Sequence, residues 1–558
     1  MRKLLPVRFS RNRVAVRFCV RLLVCLFCFC SAIPVAAQKQ NAAWRYHIRK
    51  TSGNIDIDGR MDELAWQLAD STSEFFMTLP MDTSLANVRT QVRMTYDSKN
   101  IYIIVHCYNK LKGPYMVESL RRDFNFVKND NFLFFIDPFD ARTDGFSFGA
   151  NAAGAQWDGS MYEGSKVDLN WDTKWTSAIQ QDADKWTWEA SIPFKSIRYK
   201  KGVTEWGINF GRNDLKTTEK SAWAPVPRQF PTAALAYTGT LVWDSAPPAA
   251  KSNISLIPYT LGSVTSDRVN NKPTDYKWNI GGDAKIAVTS SLNLDLTFNP
   301  DFSQVDVDQQ VINLNRFELF FPERRQFFLE NGDLFNNFGY ADIRPFFSRR
   351  IGLNVPIHFG AKLTGKINKD WRIGMMDLQT GHSYTNDIGA QNFGVITLQR
   401  KVFARSNIGF IFINKQATET WKSTVPSKSF NRTAGLEYNL ASSNNKLTGK
   451  LLGLKSFGPA SQSRDEVVAG HLQYLSKKWT LYYQQQYVGR NYTAEVGYVP
   501  RNGYNKFSPL VLRNFFPKHG KVLTHGIQLS SNYYFDEKFN RTDNQSILSY
   551  ILTFRNKA

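Results

Sequence analysis

The sequence predicts an all-β chain in two parts, an N-terminal β-sandwich followed by an antiparallel transmembrane β-barrel. Between Asn253 and Phe554, short stretches alternate apolar and polar residues, most cleanly in Leu292-Asn293-Leu294-Asp295-Leu296-Thr297-Phe298. Upstream, strand-like runs separated by turn clusters show no helical period of useful length. A basic leader with an apolar centre opens the chain. Alternation with a period of two puts one side of each strand in an oily phase and the other in water. A bilayer leaves no backbone group unpaired, so a closed barrel is the one all-strand structure that spans it.

Taken in order, the first element is the leader. Seven basic residues (Arg2, Lys3, Arg8, Arg11, Arg13, Arg17, Arg21) and no acidic one precede the apolar run Leu22 to Phe29, and the small-residue exit Val35-Ala36-Ala37 follows. This is the layout of a cleaved secretory signal peptide over 1–37. The run is shorter than the roughly 20 residues that span a membrane. Phe29 before Cys30 disfavours lipidation. Four of the five cysteines lie in the leader, and only Cys107 remains. A lone thiol makes no internal disulfide, and its setting in Ile101-Tyr102-Ile103-Ile104-Val105-His106-Cys107 predicts a buried structural role.

Residues 45–245 form the predicted sandwich, and ten of the fourteen tryptophans, Trp44 to Trp243, lie before the linker. A linker is placed at 246–252, where Ala246-Pro247-Pro248-Ala249-Ala250-Lys251 changes the texture of the chain. The barrel occupies 253–558. Further alternating strands are Ala434 to Leu440, Ile527 to Ser530 and Leu548 to Phe554, in a total of about thirteen, one short of the even number expected. Residues 300–350 break the pattern, because Asp301, Gln304, Asp306, Asp308, Gln309 and Gln310 crowd too closely for a lipid-facing strand. A polar insertion of this length is a lumen plug or a long rim loop. Its Glu318, Glu323, Arg324, Arg325, Glu330, Arg349 and Arg350 are available for ion pairs, with the barrel wall or within the insertion. The ending Phe554-Arg555-Asn556-Lys557-Ala558 departs from the usual aromatic terminus, which leaves closure of the barrel at its C-terminal edge open.

The formal charge of +22 falls to +15 once the seven leader cations are removed. The Lys and Arg are scattered rather than gathered in one tract, which argues against nucleic acid and for lipid headgroups or anionic solutes as partners.

Several motifs carry a resemblance. Ile57-Asp58-Gly59-Arg60-Met61-Asp62-Glu63-Leu64-Ala65-Trp66 resembles the opening of the family 9 carbohydrate-binding modules. Tyr96-Asp97, Asp130 to Asp137, Gln156-Trp157-Asp158-Gly159 and Trp186-Thr187-Trp188-Glu189 follow in the same order. The second half resembles the barrel domain of unknown function that follows such modules in a family of Gram-negative exported proteins. The residues that carry this are Phe298 to Val305, Arg316 to Arg325, Phe327-Phe328-Leu329-Glu330 and Phe347 to Gly352. The resemblance implies a sugar-binding-type sandwich fused to an outer-membrane barrel, and a barrel that lacks its last hairpins.

A sandwich that binds sugar needs flat aromatic faces to stack on pyranose rings and polar groups to fix the hydroxyls. Trp157 and Trp171, set among Gln156, Asp158, Gly159, Asn170 and Asp172, are the leading candidates. Trp175, Arg121 and Asp158 come next, and core packing is the competing role for each tryptophan. Asp56, Asp58, Asp62 and Glu63 are an acidic cluster suited to a structural calcium, although their spacing matches no compact calcium loop. A haem-type reading would use His106 with Met94 or Met116, against which His106 lies in an apolar strand run. No Ser-centred nucleophile elbow, His-Glu-x-x-His or phosphate loop occurs, and no catalytic residue is assigned. The expected function is an outer-membrane carbohydrate-binding protein, with a glycan, lipid and an envelope protein as partners. A hydrolase or hydrolase accessory acting on O-glycosyl compounds in carbohydrate catabolism, and a structural docking protein, are the alternatives.

Overall fold

The computed structural model describes residues 39–555, apart from 201, 249–253, 267, 269–272, 290, 301–311, 314–316, 330, 384–387, 419–429 and 460–462. The predicted leader, most of the predicted linker and the acidic run from Asp301 to Gln310 lie outside the described residues.

The N-terminal part is two sheets joined by the opening strand, Arg45–Lys50. Arg45 to Ile48 pair in parallel with Gly239–Trp243, and Arg49 and Lys50 then pair in parallel with Thr90–Tyr96. The first sheet continues through Glu205–Asp214, Asn131–Asp137, Gly145–Asn151 and Gln156–Tyr162, the second through Asn100–Tyr108, Lys185–Pro193 and Thr176–Gln181. Between them Val105, Trp186 and Trp188 of one sheet meet Phe132, Phe134 and Phe210 of the other. The Trp188 ring lies 5.9 Å from Phe132 and 6.3 Å from Phe134. Near-continuous apolar runs are needed because both faces of several strands are covered. In Asn100–Tyr108, Ile103, Val105 and Cys107 face the main core, while Tyr102 and Ile104 pack under Ala65 and Trp66 of the short helix Leu64–Leu68. Cys107 is fully buried, and burial pushes its thiol up to about 12.

The residues of the opening motif meet at one buried carboxylate. Glu189 accepts hydrogen bonds from Trp66 Nε1 at 3.0 Å, Asp58 N at 2.9 Å and Gly59 N at 2.8 Å. Gly59 holds φ at +85°, and a Cβ there would stand 2.9 Å from Gln180, so both the turn and its close approach require glycine. Helix, turn and sheet are thereby fastened at one point.

The C-terminal part is a meander of fourteen strands, from Ile254–Thr265 to Arg541–Phe554, each antiparallel to the next. The count is fourteen, an even number and one more than the alternation predicts, and in strands such as Trp479–Val488 three glutamines, Gln484 to Gln486, interrupt the pattern. Among the described residues the first and last strands each pair along one edge only. Outward residues such as Leu296, Ile396, Leu436 and Leu529 are exposed, whereas Asp295, Thr297, Thr433 and Glu437 between them point inward and are buried.

The insertion is a plug. Its Phe328, Phe335, Phe338, Ile343 and Phe346 pack on Leu378, Val395, Ile411 and Leu454 of the inner wall. Arg344 N donates to Tyr498 O at 3.0 Å and Phe347 N to Val496 O at 2.7 Å. Two of the predicted charge sets pair within the plug, Glu323 with Arg325 at 2.7 Å and Glu318 with Arg350 at 2.6 Å. Wall ion pairs are also made by two acids outside the predicted set, Asp333, which meets Arg372 at 2.7 Å, and Asp342, which meets Lys506 at 3.4 Å.

Hairpin lengths are unequal at the two ends of the meander. One end carries the turns 290–291, 367–370, 403–405, 442–446, 476–478 and 516–521, and the other carries 266–274, 299–356, 381–390, 418–429, 458–465, 489–503 and 536–540. The sandwich sits on the short-turn end. Lys366 Nζ meets Asp144 at 2.7 Å, Lys477 meets Asp82 at 2.7 Å, Lys401 Nζ donates to Ala141 O at 2.8 Å, and Tyr237 OH donates to Asn444 O at 2.7 Å.

Two predictions follow from these fastenings. Glu189→Ala leaves the Trp66 indole and the Gly59 amide without an acceptor, the Asp58 amide keeping the carbonyl of Asp56, and lowers stability by about 2–4 kcal/mol, with Glu189→Gln losing less; thermal unfolding read by tryptophan fluorescence checks this. Burial of Asp144 is outweighed by the Lys366 ammonium and by Arg372, which hold its carboxyl at about 2, below the ordinary 3.8. Its contribution to docking is therefore complete above pH 3.8 and lost as pH falls toward 2. Hydrogen exchange in the turn 367–370 should quicken over that window, and Asp144→Asn should show the faster exchange at neutral pH.

Candidate functional site

The predicted sugar-stacking residues are packed inside the sandwich. Trp157 lies edge-on between Phe124 at 5.7 Å and Phe126 at 5.8 Å, in a second cluster with Leu133, Phe135 and Leu235 on the outer face of the first sheet. Trp171 packs on Phe146 at 5.0 Å, and Trp175 meets Trp188 at right angles at 6.0 Å. Their exposures are 8 %, 5 % and 8 %. At that burial they act as packing residues, and a stacked sugar would need them uncovered. Their polar sequence neighbours occupy the opposite face of the strand or the adjoining turn.

Those neighbours form a charged cluster at the sandwich surface. Arg122, rather than the predicted Arg121, organises it. Arg122 bonds the Asp158 carboxylate, donates from Nη1 to Gln156 Oε1 at 2.9 Å and from Nη2 to Thr173 O at 2.9 Å, and meets Asp172 at 2.9 Å through Nε. Arg121 is exposed, and its backbone N donates to Ser119 Oγ at 3.0 Å. Asp158 is fully buried and also accepts from Thr173 N at 2.9 Å. Asp123 accepts from Asp158 N at 3.2 Å. Burial, with Asp158 and Asp172 nearby, raises the Asp123 carboxyl to about 7 against that hydrogen bond. Nothing in a pair of adjacent arginines tells which one turns inward, and Arg122 was missed for that reason.

The acidic cluster near the opening motif is engaged in turns. Asp56 accepts from Asn54 Nδ2 at 2.9 Å, Asp58 Oδ1 from Arg60 N at 2.8 Å, and Glu63 Oε1 from Asp56 N at 3.1 Å, while Asp62 is exposed. Among the described residues no three His, Cys, Asp or Glu side chains gather as metal ligands. His106 shares a hydrogen bond with Thr187 Oγ1 at 2.8 Å, Met94 lies in the core and Met116 is exposed.

A second site was invisible in the sequence because three distant segments build it. A chamber of about 370 Å³ lies where the sandwich, the plug tip and the inner wall meet. Tyr162 to Lys166 and Gln229 to Pro231 close one side, Asp333, Asn337 and Phe338 another, and wall residues from Arg372 to Leu475 the third. A polar ladder crosses the wall. Arg372 Nη1 donates to Gln399 Oε1 at 3.3 Å, Gln399 Nε2 to Asn407 Oδ1 at 3.2 Å, and Asn439 Nδ2 to both Asn407 Oδ1 at 2.9 Å and Glu437 Oε1 at 2.8 Å. Glu437 pairs with Lys450 at 3.1 Å and accepts Gly339 N at 3.0 Å.

Arg122→Ala strands the buried Asp158 carboxylate and should destabilise the sandwich by about 3 kcal/mol or more, whereas Arg122→Ala with Asp158→Asn should recover much of that loss. Equal unfolding midpoints for the single and double variants would show that the pair is not coupled.

Residues 57–227 match the family described as carbohydrate family 9 binding domain-like, and residues 251–373 match a domain family of unknown function. No protein with a curated description matches the chain. A family 9 carbohydrate-binding module from Caldicellulosiruptor kristjanssonii, solved with cellotriose, aligns at 14 % identity and a TM-score of 0.26 over 36 % of this chain and 94 % of its own. A putative carbohydrate-binding protein from Bacteroides uniformis aligns at 13 % identity and a TM-score of 0.30 over 36 % of this chain and 99 % of its own. OmpT, an outer membrane protein of Vibrio cholerae, aligns at 9 % identity and a TM-score of 0.21 over 54 % of this chain and 98 % of its own. The chain thus carries a domain like those of carbohydrate-binding family 9 ahead of a fourteen-stranded barrel-type sheet that begins in a domain family of unknown function.

Proposed function

We propose that the barrel sheet spans the outer membrane and holds the sandwich in the periplasm, where the sandwich recognises a glycan. The match of residues 57–227 to family 9 supports the ligand class. The exposed apolar residues Leu296, Ile396, Leu436 and Leu529 on the outer face of the sheet support contact with lipid. Orientation rests on hairpin length. Bacterial barrels carry short turns on the periplasmic side and long loops outside, and the sandwich sits on the short turns. The predicted leader, cleaved on export, fits this address. With the plug packed on the inner wall and the sandwich over one mouth, the barrel serves in this state as an anchor. Passage of solute would require one of the two to shift.

Orientation is open to a labelling test on intact cells, since Cys107 is buried and silent. A membrane-impermeant maleimide should label Lys538→Cys, in the hairpin 536–540, and leave Leu120→Cys unlabelled until the outer membrane is opened. The reverse pattern would place the sandwich outside. For the ligand, purified full-length protein in detergent should be retained by at least one member of a polysaccharide panel. Failure on every member by folded protein would overturn glycan recognition, and release of reducing sugar would replace binding with hydrolysis.

A further inference from the structure

The charges around the chamber do not all cancel. Asp333 meets Arg372 at 2.7 Å, Glu437 meets Lys450 at 3.1 Å, and Glu163 meets Lys166 at 2.6 Å. Arg405 is left over. It is 2 % exposed and lines the same chamber. Its Nε donates to Arg142 O at 3.0 Å, and its Nη1 donates to Ser442 O at 3.2 Å and Asn445 Oδ1 at 2.7 Å. All of these acceptors are neutral, and among the described residues no carboxylate lies within ion-pairing distance of it. The remaining nitrogen, Nη2, stands over Gly164, where a Cβ would come within 2.1 Å of it. A guanidinium this deeply buried is held by dipoles alone, and an anion would be drawn to it.

The surrounding groups suit hydroxyls. Asn407 and Asn439 spend one end of each amide on the wall ladder, and among the described residues Asn407 Nδ2 and Asn439 Oδ1 have no partner. These two supply a donor and an acceptor, the pair of functions a sugar hydroxyl requires. Phe230 and Phe338 add apolar surface. A volume of about 370 Å³ is at the small end of the roughly 300–1,000 Å³ found for ligand pockets, which limits the occupant to one or two rings.

We propose that the chamber binds a small sugar bearing one anionic group, with its carboxylate or phosphate on Arg405 and its hydroxyls on Asn407 and Asn439. The choice of a sugar as the polyol rests on the glycan reading of the sandwich, yet the chamber is a separate site too small for a polymer.

Full-length protein in detergent is titrated calorimetrically with glucuronate, glucose 6-phosphate and glucose, using wild type, Arg405→Gln and Asn439→Ala, each checked for a folded barrel by heat-shifted gel mobility. At least one anionic sugar should bind about tenfold or more tightly than glucose, since a charge-assisted hydrogen bond is worth that factor. Glucuronate alone, glucose 6-phosphate alone, or both binding would identify carboxylate, phosphate or charge as the recognised feature. Arg405→Gln should reduce the anionic sugar to the level of glucose. Asn439→Ala leaves the Arg405 contacts in place and should weaken every sugar that binds, so the proposal is still tested if Arg405→Gln fails to fold. Absence of binding by both anionic sugars, equal affinity for glucose, or unchanged affinity in the folded variants would overturn it. Loss of polysaccharide retention with anionic-sugar binding intact would remove the reading of the sandwich and leave the chamber standing.

Discussion

A sheet that presents one face to lipid sends its polar side chains to the other face, and every charge placed there needs a partner once water is excluded. That requirement shapes the interior of this molecule. Lys362 is buried against Asp295 at 3.2 Å and also reaches the carbonyl of Phe327 in the plug. Lys450 meets Glu437 and the carbonyl of Gly339 at 2.9 Å. Arg372 takes Asp333. In each case the wall supplies a charge and the plug completes its coordination, because removing one partner from a buried pair is far more destabilising than the pair is stabilising. The plug is therefore part of the electrostatic solution of the wall, in addition to being an apolar filling.

The sandwich obeys a different constraint. Its core closes without help from the barrel, through Trp186, Trp188, Trp206 and Trp243 and the phenylalanines opposite them. Contact with the barrel is made largely by scattered polar groups, Asp82, Asp144, Tyr237 and the carbonyls of Ala141 and Arg142, with Leu475 of the wall packed on the apolar cluster of Val226, Phe230 and Tyr237. Such a surface gives register and direction more than depth of burial. It also creates the space between the two bodies, since polar contacts spaced around a mouth leave its centre unfilled.

Much of the architecture was legible in the sequence, because period-two alternation maps directly onto faces. Leu292 to Phe298 reads as outward leucines and inward Asn293, Asp295 and Thr297, and that is how it lies. The crowded acids and amides from Asp301 to Gln310 lie outside the described residues, and the described part of the insertion from Phe317 onward is turns and short helices that break the alternation. Tryptophan environment was not. Trp157 and Trp171 looked accessible because their neighbours are polar, yet in a strand or turn the neighbour reports the opposite side, and a ring as large as indole is drawn to the core. Pairings across long separations were also unreadable, such as Lys366 with Asp144 and Arg405 with the carbonyl of Arg142. The chamber consists of such pairings, so no local pattern announces it.

The insertion leaves the wall after Phe298 and returns at Ile357, yet the strands on either side pair without a gap from Leu292 with Gly365 to Phe298 with Phe359. No rung of the ladder depends on what the insertion does between those points. The backbone pairing of the wall thus closes without the loop, which enters the wall's construction through the charges it satisfies, and the loop hangs from the rim opposite the sandwich while its tip reaches the sandwich's underside. A segment rooted at one rim thereby presents Asp333, Asn337 and Phe338 at the opposite mouth, so the lining offered there is set by a single excursion of the chain and not by the strands that carry it.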